Sequence, residues 1–217
     1  MRRVLLLRHG ILINRLFMLR MERYFRRRGF TVHNRSYPTT RKRIEEHAED
    51  FSRELRALDD EQSRLGGDYE FHIVTHSLAG LVVRFALSHF PSPPIRRIVE
   101  LVPPNQGSAT ARHLRKLRVY RWVAGGKAGA QLAEDPPGIF GECGIPENVE
   151  LGIIAGTAGF QIYPLPLEKP HDGVVSLEET RLGDFPIKEL PFNHTPILWR
   201  RRTFEEVEHF LEHGRFR

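Results

Sequence analysis

The chain alternates short apolar runs with longer amphipathic stretches. Short apolar runs lie at 4–7, 31–34, 71–74, 95–102, 149–155 and 187–190. Such runs are typical of buried strands. Apolar residues that recur every three or four positions predict helices at 11–28, 44–58, 78–86 and 203–213. The alternation predicts the α/β class: a three-layer α/β/α sandwich with a mostly parallel sheet of about six strands.

The stretch 71–87 combines one predicted strand and one predicted helix around Ser77. A strand that turns sharply into a helix on a serine is the geometry of a nucleophile elbow, which exposes the hydroxyl above the sheet. Thr75 and Ala79 stand where that motif usually has glycine. The alternative interpretation is a serine that only caps the helix.

Four residues with catalytic side chains follow predicted strands, namely His9, Ser77, Asp172 and His194. Ligands bind beyond the carboxyl ends of strands in open parallel sheets, so we expect these residues to gather at one edge. A serine needs a base to take its proton and a third group to orient that base. We therefore predict Ser77 as nucleophile, His194 as base and Asp172 as acid.

Two competitors for these roles stay open. Glu100 lies near the end of a predicted strand and is the rival acid. A glutamate inside an apolar run is costly unless it is paired, so its position is unusual. His171, next to Asp172, competes with His194.

The developing oxyanion requires two backbone donors. We predict the N–H groups of Leu78, directly after the nucleophile, and of Ile11, at the exit of the first strand. The apolar residues Leu12, Ile13 and Phe17 either line an acyl-binding cleft or belong to the core.

Five pieces of the chain carry a resemblance to a known family. They are L-L-L-R-H-G at 5–10, V-T-H-S-L-A-G at 74–80, P-P-N-Q-G-S at 103–108, H-D-G-V-V-S at 171–176 and F-N-H-T at 192–195. In this order they resemble a small lipase or esterase of the α/β-hydrolase superfamily. The resemblance implies a carboxylic ester hydrolase that works through an acyl-enzyme, with the triad and oxyanion donors named above.

Two other functions are weighed against the esterase. The opening V-L-L-L-R-H-G at 4–10 resembles histidine phosphatases, which attack phosphate with the residue corresponding to His9. The continuation Ile11-Leu12-Ile13 is apolar and suits an acyl pocket better than a phosphate site. The other alternative is a non-catalytic binding protein that keeps the fold.

Composition limits the cofactors and partners. Cys143 is the single cysteine, and no His/Asp/Glu cluster has metal-ligand spacing, so we expect no cofactor and no metal. The net charge is +6, but acidic residues interleave with the basic ones, so we expect no nucleic-acid partner. We expect an acyl ester or lipid as substrate, with transient contact with a membrane or lipid surface left open.

Length and segment pattern predict a single domain over residues 1–217. The segment 108–148, with Tyr120 and Trp122, is a candidate cap or lid. No window reaches the ~18 apolar residues of a membrane span. The apolar run after Met1 stops at Arg8, short of the ~7–15 residues of a secretory h-region, so we expect a cytoplasmic protein.

Overall fold

The computed structural model describes residues 1–118, 127–134, 143–160 and 165–217. In this part of the chain, six strands form one sheet in the order β2-β1-β3-β4-β5-β6, and every neighbouring pair runs parallel. The strands are β1 Arg2–Arg8, β2 Phe30–Asn34, β3 Tyr69–His76, β4 Ile95–Leu101, β5 Glu150–Gly156 and β6 Ile187–Leu190. The predicted α/β class and its parallel sheet are confirmed.

Helices connect the strands. The α-helices of the described residues are α1 Leu19–Arg27, α2 Ile44–Arg64, α3 Leu78–His89, α4 Ala109–Leu114, α5 Lys127–Glu134, α6 Leu177–Thr180 and α7 Arg201–His213. Two short 3-10 helices, Arg15–Met18 and Pro196–Trp199, precede α1 and α7.

The sheet separates two apolar cores. Along β1, Val4 and Leu6 join the core under α2 and α3, whereas Leu5 and Leu7 join the core under α1 and α7. All four side chains are buried. A strand segment that is covered on both faces needs apolar residues at every position, which is why residues 4–7 of β1 form an unbroken apolar run.

The first helix begins later than its apolar pattern predicts. The prediction of a helix from residue 11 is wrong over 11–14, because Leu12 has a φ of 62° and interrupts any right-handed helix. Asn14 is the N-cap of the first 3-10 helix and accepts a hydrogen bond from the N–H of Leu16 at 2.9 Å. Residues 11–14 therefore form a loop above the end of β1.

The candidate lid is only partly described. Within 108–148, α4 packs against α5. Tyr120 and Trp122 lie outside the described residues, so the lid and the single-domain organisation stay predictions. No helix in the described ranges combines the length and apolar character needed to cross a bilayer.

Candidate active site at the carboxyl edge of the sheet

Ser77 occupies a strained turn between β3 and α3. Its backbone has φ 54° and ψ −127°, a conformation that costs an L-residue roughly 1–3 kcal/mol. The Ser77 N–H donates to the Leu101 carbonyl at 2.9 Å, and the Gly80 N–H donates to the Ser77 carbonyl at 3.0 Å, which fixes the turn. The serine side chain makes no capping hydrogen bond. The geometry is that of an elbow and not of a simple helix cap.

Close packing around the elbow requires glycine at two positions. A Cβ added at Gly10 would lie 2.9 Å from the Ser77 Cβ, and one added at Gly80 would lie 2.9 Å from Glu100 Oε1. Thr75 and Ala79, which replace the usual glycines, are both buried without distorting the turn. The departures from the motif therefore leave the elbow intact.

Asp172 lies between β5 and α6 and is 1% exposed. Its Oδ1 accepts hydrogen bonds from the N–H groups of Val174 at 2.8 Å and Val175 at 2.7 Å. Its Oδ2 lies 2.6 Å from Nδ1 of His194. Both carboxylate oxygens are thus held, and one of them faces the histidine.

His194 follows β6 and is tied to Asp172 twice, since its N–H also donates to the Asp172 carbonyl at 3.0 Å. With Nδ1 bonded to the carboxylate, Nε2 is left without a hydrogen-bond partner among the described residues. The side chain is 11% exposed, so this nitrogen is available to a reacting group. The arrangement keeps the ring in one orientation, as a general base requires.

His76, the residue before Ser77, connects the elbow to His194. Its Nε2 lies 2.9 Å from the His194 carbonyl, and the two ring centroids are 4.9 Å apart. Burial lowers the pKa of His76 to about 3, and the neighbouring His194 and His9 act in the same direction. His76 is therefore a neutral imidazole that donates from Nε2. Sequence analysis gave it no role, although its place beside the serine was a signal.

The rival residues have other partners. Glu100 is fully buried within β4, where its Oε2 accepts a hydrogen bond from Asn105 Nδ2 at 3.0 Å. Burial raises the pKa of Glu100, and Arg84 opposes that shift. The Nδ1 of His171 accepts the Gly173 N–H at 3.1 Å. In the described part of the chain neither residue joins the pair formed by Asp172 and His194, so the geometry favours that pair.

The two predicted oxyanion donors are unoccupied. Within the described ranges, neither the N–H of Ile11 nor that of Leu78 donates to a protein acceptor. Leu78 is the first residue of α3, where the helix dipole favours negative charge. Ile11 follows Gly10, which packs directly on Ser77. One candidate donor therefore directly follows the serine, and the other directly follows a glycine that packs on it.

An open cleft of about 530 Å³ lies beside the loop after β1. Leu12 and Ile13 line it together with residues 36–41. Phe17 does not line this cleft. Its ring stacks on Trp199 with centroids 5.9 Å apart, and it packs on the core under α1 and α7.

His9 has a supporting position. It is fully buried, its Nδ1–H donates to the Gly10 carbonyl at 3.0 Å, and its Nε2 accepts the Tyr37 N–H at 3.3 Å. Burial lowers the pKa of His9. A phosphatase nucleophile must reach its substrate, and this ring is enclosed with both nitrogens engaged. His9 instead fixes the loop that carries Ile11.

Metal-ligating side chains are dispersed. Among the residues that the structure describes, no group of three or more His, Cys, Asp or Glu side chains is arranged to hold a metal ion.

Comparison with known proteins identifies the fold. No family model and no curated protein matches the chain in sequence. Among solved structures, the mature form of lipase BlEst2 from Bacillus licheniformis matches with a TM-score of 0.74 at 14% identity, over 99% of this chain and 93% of that chain. The hydrolase olei00960 from Oleispira antarctica matches with a TM-score of 0.64 at 14% identity, over 98% and 92% of the two chains. Phospholipase PlaB from Legionella pneumophila matches with a TM-score of 0.58 at 15% identity, over 82% of this chain and 45% of that chain. These matches and the parallel topology show that this chain has the α/β-hydrolase fold.

Proposed function

We propose that this protein is a serine hydrolase of carboxylic esters. The proposal depends on the hydrogen bond of 2.6 Å between His194 Nδ1 and Asp172 Oδ2. His76, which bonds to the His194 carbonyl, connects this pair to the strained turn at Ser77. A buried carboxylate that orients a histidine beside a strained serine matches the requirements of acyl transfer. A serine cap would need neither the strain nor the pair.

The reaction proceeds in two halves. Ser77 Oγ attacks the ester carbonyl carbon while His194 Nε2 takes its proton, and the carbonyl electron pair moves onto oxygen. The tetrahedral species collapses by breaking the bond to the alkoxy group, which leaves with the proton from His194. Water then repeats the attack on the acyl-enzyme, with His194 again acting as base, and releases the acid and Ser77.

Asp172 and the backbone donors support both halves. The Asp172 carboxylate holds the proton on Nδ1 and stabilises the imidazolium that forms. The N–H groups of Ile11 and Leu78 are the proposed oxyanion donors, since both are without other acceptors in the described part of the chain.

The proposed substrates are acyl esters, lipids included. The cleft that Leu12 and Ile13 line is the proposed place for an acyl chain, because these two apolar side chains belong to the loop that follows β1 and carries Ile11. Among proteins of the same fold, BlEst2 is named a lipase and PlaB a phospholipase, which makes lipid esters the first class to test.

The test is hydrolysis of a series of chromogenic esters by wild type and Ser77→Ala. We expect the substitution to lower kcat by roughly 10⁵-fold or more. Ser88→Ala is the matched control, because Ser88 lies on the same helix, is exposed and bonds only to the Gly144 carbonyl. A fluorophosphonate probe should add to Ser77 in wild type and in the control.

Full turnover in Ser77→Ala would refute the proposal. A wild type that is inert to both esters and the probe would indicate a binding protein of this fold. Phosphate-ester hydrolysis that disappears in His9→Ala would indicate the phosphatase instead.

A further inference from the structure

Large apolar side chains are exposed at the catalytic edge of the sheet. Of seven such residues among those described, four belong to the loops and short 3-10 helices that follow strands at this edge: Leu12 is 52% exposed, Leu16 59%, Phe160 68% and Trp199 36%. We name these four residues the apolar rim. Scattered exposed leucines are ordinary, but their concentration on loops of one edge marks an interaction surface.

The rim is held by bonds between those loops. Trp199 Nε1–H donates to the Phe17 carbonyl at 3.0 Å, which ties the 3-10 helix after His194 to the one after Ile11. The Phe160 carbonyl accepts a hydrogen bond from Asn193 Nδ2 at 3.4 Å, one residue before His194. The rim therefore belongs to the same loops that carry the candidate catalytic residues.

A basic groove is formed by residues of α1 and the first turn of α7, which follow the rim residues Leu16 and Trp199 in the chain. The groove has a volume of about 620 Å³, and its lining residues are Arg20, Arg23, Tyr24, Arg27, Arg28, Arg201 and Phe204. Arg28 pairs with Glu208 at 3.2 Å, and Arg201 pairs with Glu205 at 2.7 Å.

The other three arginines of the groove are not neutralised by the fold. Arg20, Arg23 and Arg27 are exposed, and within the described ranges they have no ion pair. Counted from Leu16, the three arginines come at successive spacings of four, three and four residues. Leu16 and the arginines therefore lie on one face of the helical segment. Like charges at these spacings repel one another. An external anion would remove that repulsion.

We propose that the basic groove and the apolar rim dock this protein on the surface of an anionic phospholipid bilayer. Arginines would contact lipid phosphates while leucine and aromatic side chains enter the headgroup region, which is the pattern of interfacial binding. Docking in this way turns the edge that carries Ser77 toward the lipid. The proposal concerns where the protein binds, and it stands or falls separately from ester hydrolysis.

The apolar rim favours a bilayer over a nucleic acid. Nucleic-acid grooves present aromatic faces among the basic residues for bases to stack on. Tyr24 in the groove is engaged with Glu208 at 2.5 Å through its hydroxyl and lies under Arg28. Exposed leucines beside the groove gain nothing from a nucleic acid, whereas a lipid interface buries them.

The experiment is co-sedimentation of the full chain with vesicles of phosphatidylglycerol and phosphatidylcholine, compared with vesicles of phosphatidylcholine alone. We expect binding only to the anionic vesicles, weakening as NaCl is added. The triple variant R20Q/R23Q/R27Q should bind roughly 100-fold more weakly. R53Q/R56Q/R64Q removes the same charge from exposed positions of α2 and should bind as wild type does.

A second measurement tests the rim without the arginines. In W122F protein, Trp199 is the remaining tryptophan of the sequence, and brominated lipid should quench its fluorescence on docking. Leu16→Ser should weaken vesicle binding by about tenfold, since it withdraws one buried aliphatic side chain from the interface.

Three outcomes would overturn the proposal. They are equal binding to neutral and anionic vesicles, equal loss in the two triple variants, or tight binding of a DNA or RNA duplex through the groove without vesicle binding. Ser77→Ala protein should dock normally, and R20Q/R23Q/R27Q should hydrolyse a soluble short-chain ester at the wild-type rate. Failure of docking is therefore distinguishable from failure of the esterase proposal.

Discussion

Two buried carboxylates near the elbow differ in how they are satisfied. Asp172 lies in a loop, and both of its oxygens accept hydrogen bonds, one of them from His194. Glu100 lies inside β4, where its Oε2 accepts a hydrogen bond from Asn105. Among the described residues, its Oε1 is buried without a hydrogen-bond partner, as are two nitrogens of the buried Arg84.

The difference is the reason we propose Asp172, and not Glu100, as the catalytic acid. Orienting a histidine requires a carboxylate with fixed geometry, which the backbone N–H donors to Asp172 provide. The pKa of Glu100 is raised by burial, which favours its protonated form, and no histidine of the described residues bonds to it. A loop residue can turn both oxygens toward donors, whereas a strand residue is constrained by its neighbours in the sheet.

Substituting the two acids gives the largest expected difference between them. Asp172→Asn should lower kcat for a short-chain ester by roughly 10³- to 10⁴-fold, because the amide cannot hold His194 in the reactive tautomer. Steady-state kinetics of Asp172→Asn and Glu100→Gln measures the difference in kcat between the two variants. A collapse of activity in Glu100→Gln, with Asp172→Asn active, would reverse the assignment of the acid.

His76 is expected to act through His194 as a positioning residue. His76→Ala removes the donor to the His194 carbonyl and should lower kcat about tenfold while KM stays within about twofold. His76→Gln keeps an amide donor and should recover most of the rate. Equal losses in the two variants, or a change in KM alone, would contradict this role.

Stability should fall in mild acid. The pKa of His76 is about 3 in the folded protein, below the ordinary value of 6.5, so the unfolded chain binds more protons between these values. Burial also lowers the pKa of His9, His47 and His72. The contribution of these histidines to the free energy of unfolding should be at its full value above about pH 6.5 and decrease toward pH 3. Glu100 contributes in the opposite direction above its ordinary pKa of 4.5, because burial raises its pKa.

Urea unfolding at pH 7.5 and pH 5.0 measures this dependence. His76→Gln, which cannot titrate, should show a smaller decrease than wild type. An unfolding free energy that is equal at the two pH values would contradict the burial of neutral histidines.

The smallest expected effect belongs to Glu100. Glu100→Gln preserves shape and an acceptor for Asn105 Nδ2, so kcat should stay within about threefold and the free energy of unfolding within about 1 kcal/mol of wild type. Chemical denaturation and ester kinetics on the same preparation measure both quantities. A loss of several kcal/mol would show that Glu100 is ionised and paired in the folded protein.

Local patterns predicted most of the fold. The apolar runs located all six strands of the described sheet to within about two residues, since burial on both faces leaves an unbroken signal. The first helix was misplaced because Leu12 has a left-handed backbone and an exposed side chain, although Ile11 and Ile13 still pack against the two cores. Asn14, a favourable N-cap, was the unused signal.

The helix start predicted at Thr203 is two residues late, and Thr203 is not its N-cap. Thr203 and Glu206 have the spacing of a capping box, yet Thr203 is fully buried inside α7, which begins at Arg201. Glu206 pairs instead with Lys188 at 3.3 Å and accepts the N–H of Arg217 at 3.1 Å. Spacing alone cannot distinguish a cap from two residues one turn apart on a buried helix face.

The sequence by itself determined the α/β class, the strand-to-helix junction at Ser77, and the candidates Asp172 and His194. These follow from periodicity and from residues placed after strands, which are local properties of the chain. Tertiary structure alone decided between Asp172 and Glu100 as the partner of His194, and placed His76 against His194. Those outcomes depend on contacts between segments far apart in the chain, whose distances no local pattern encodes.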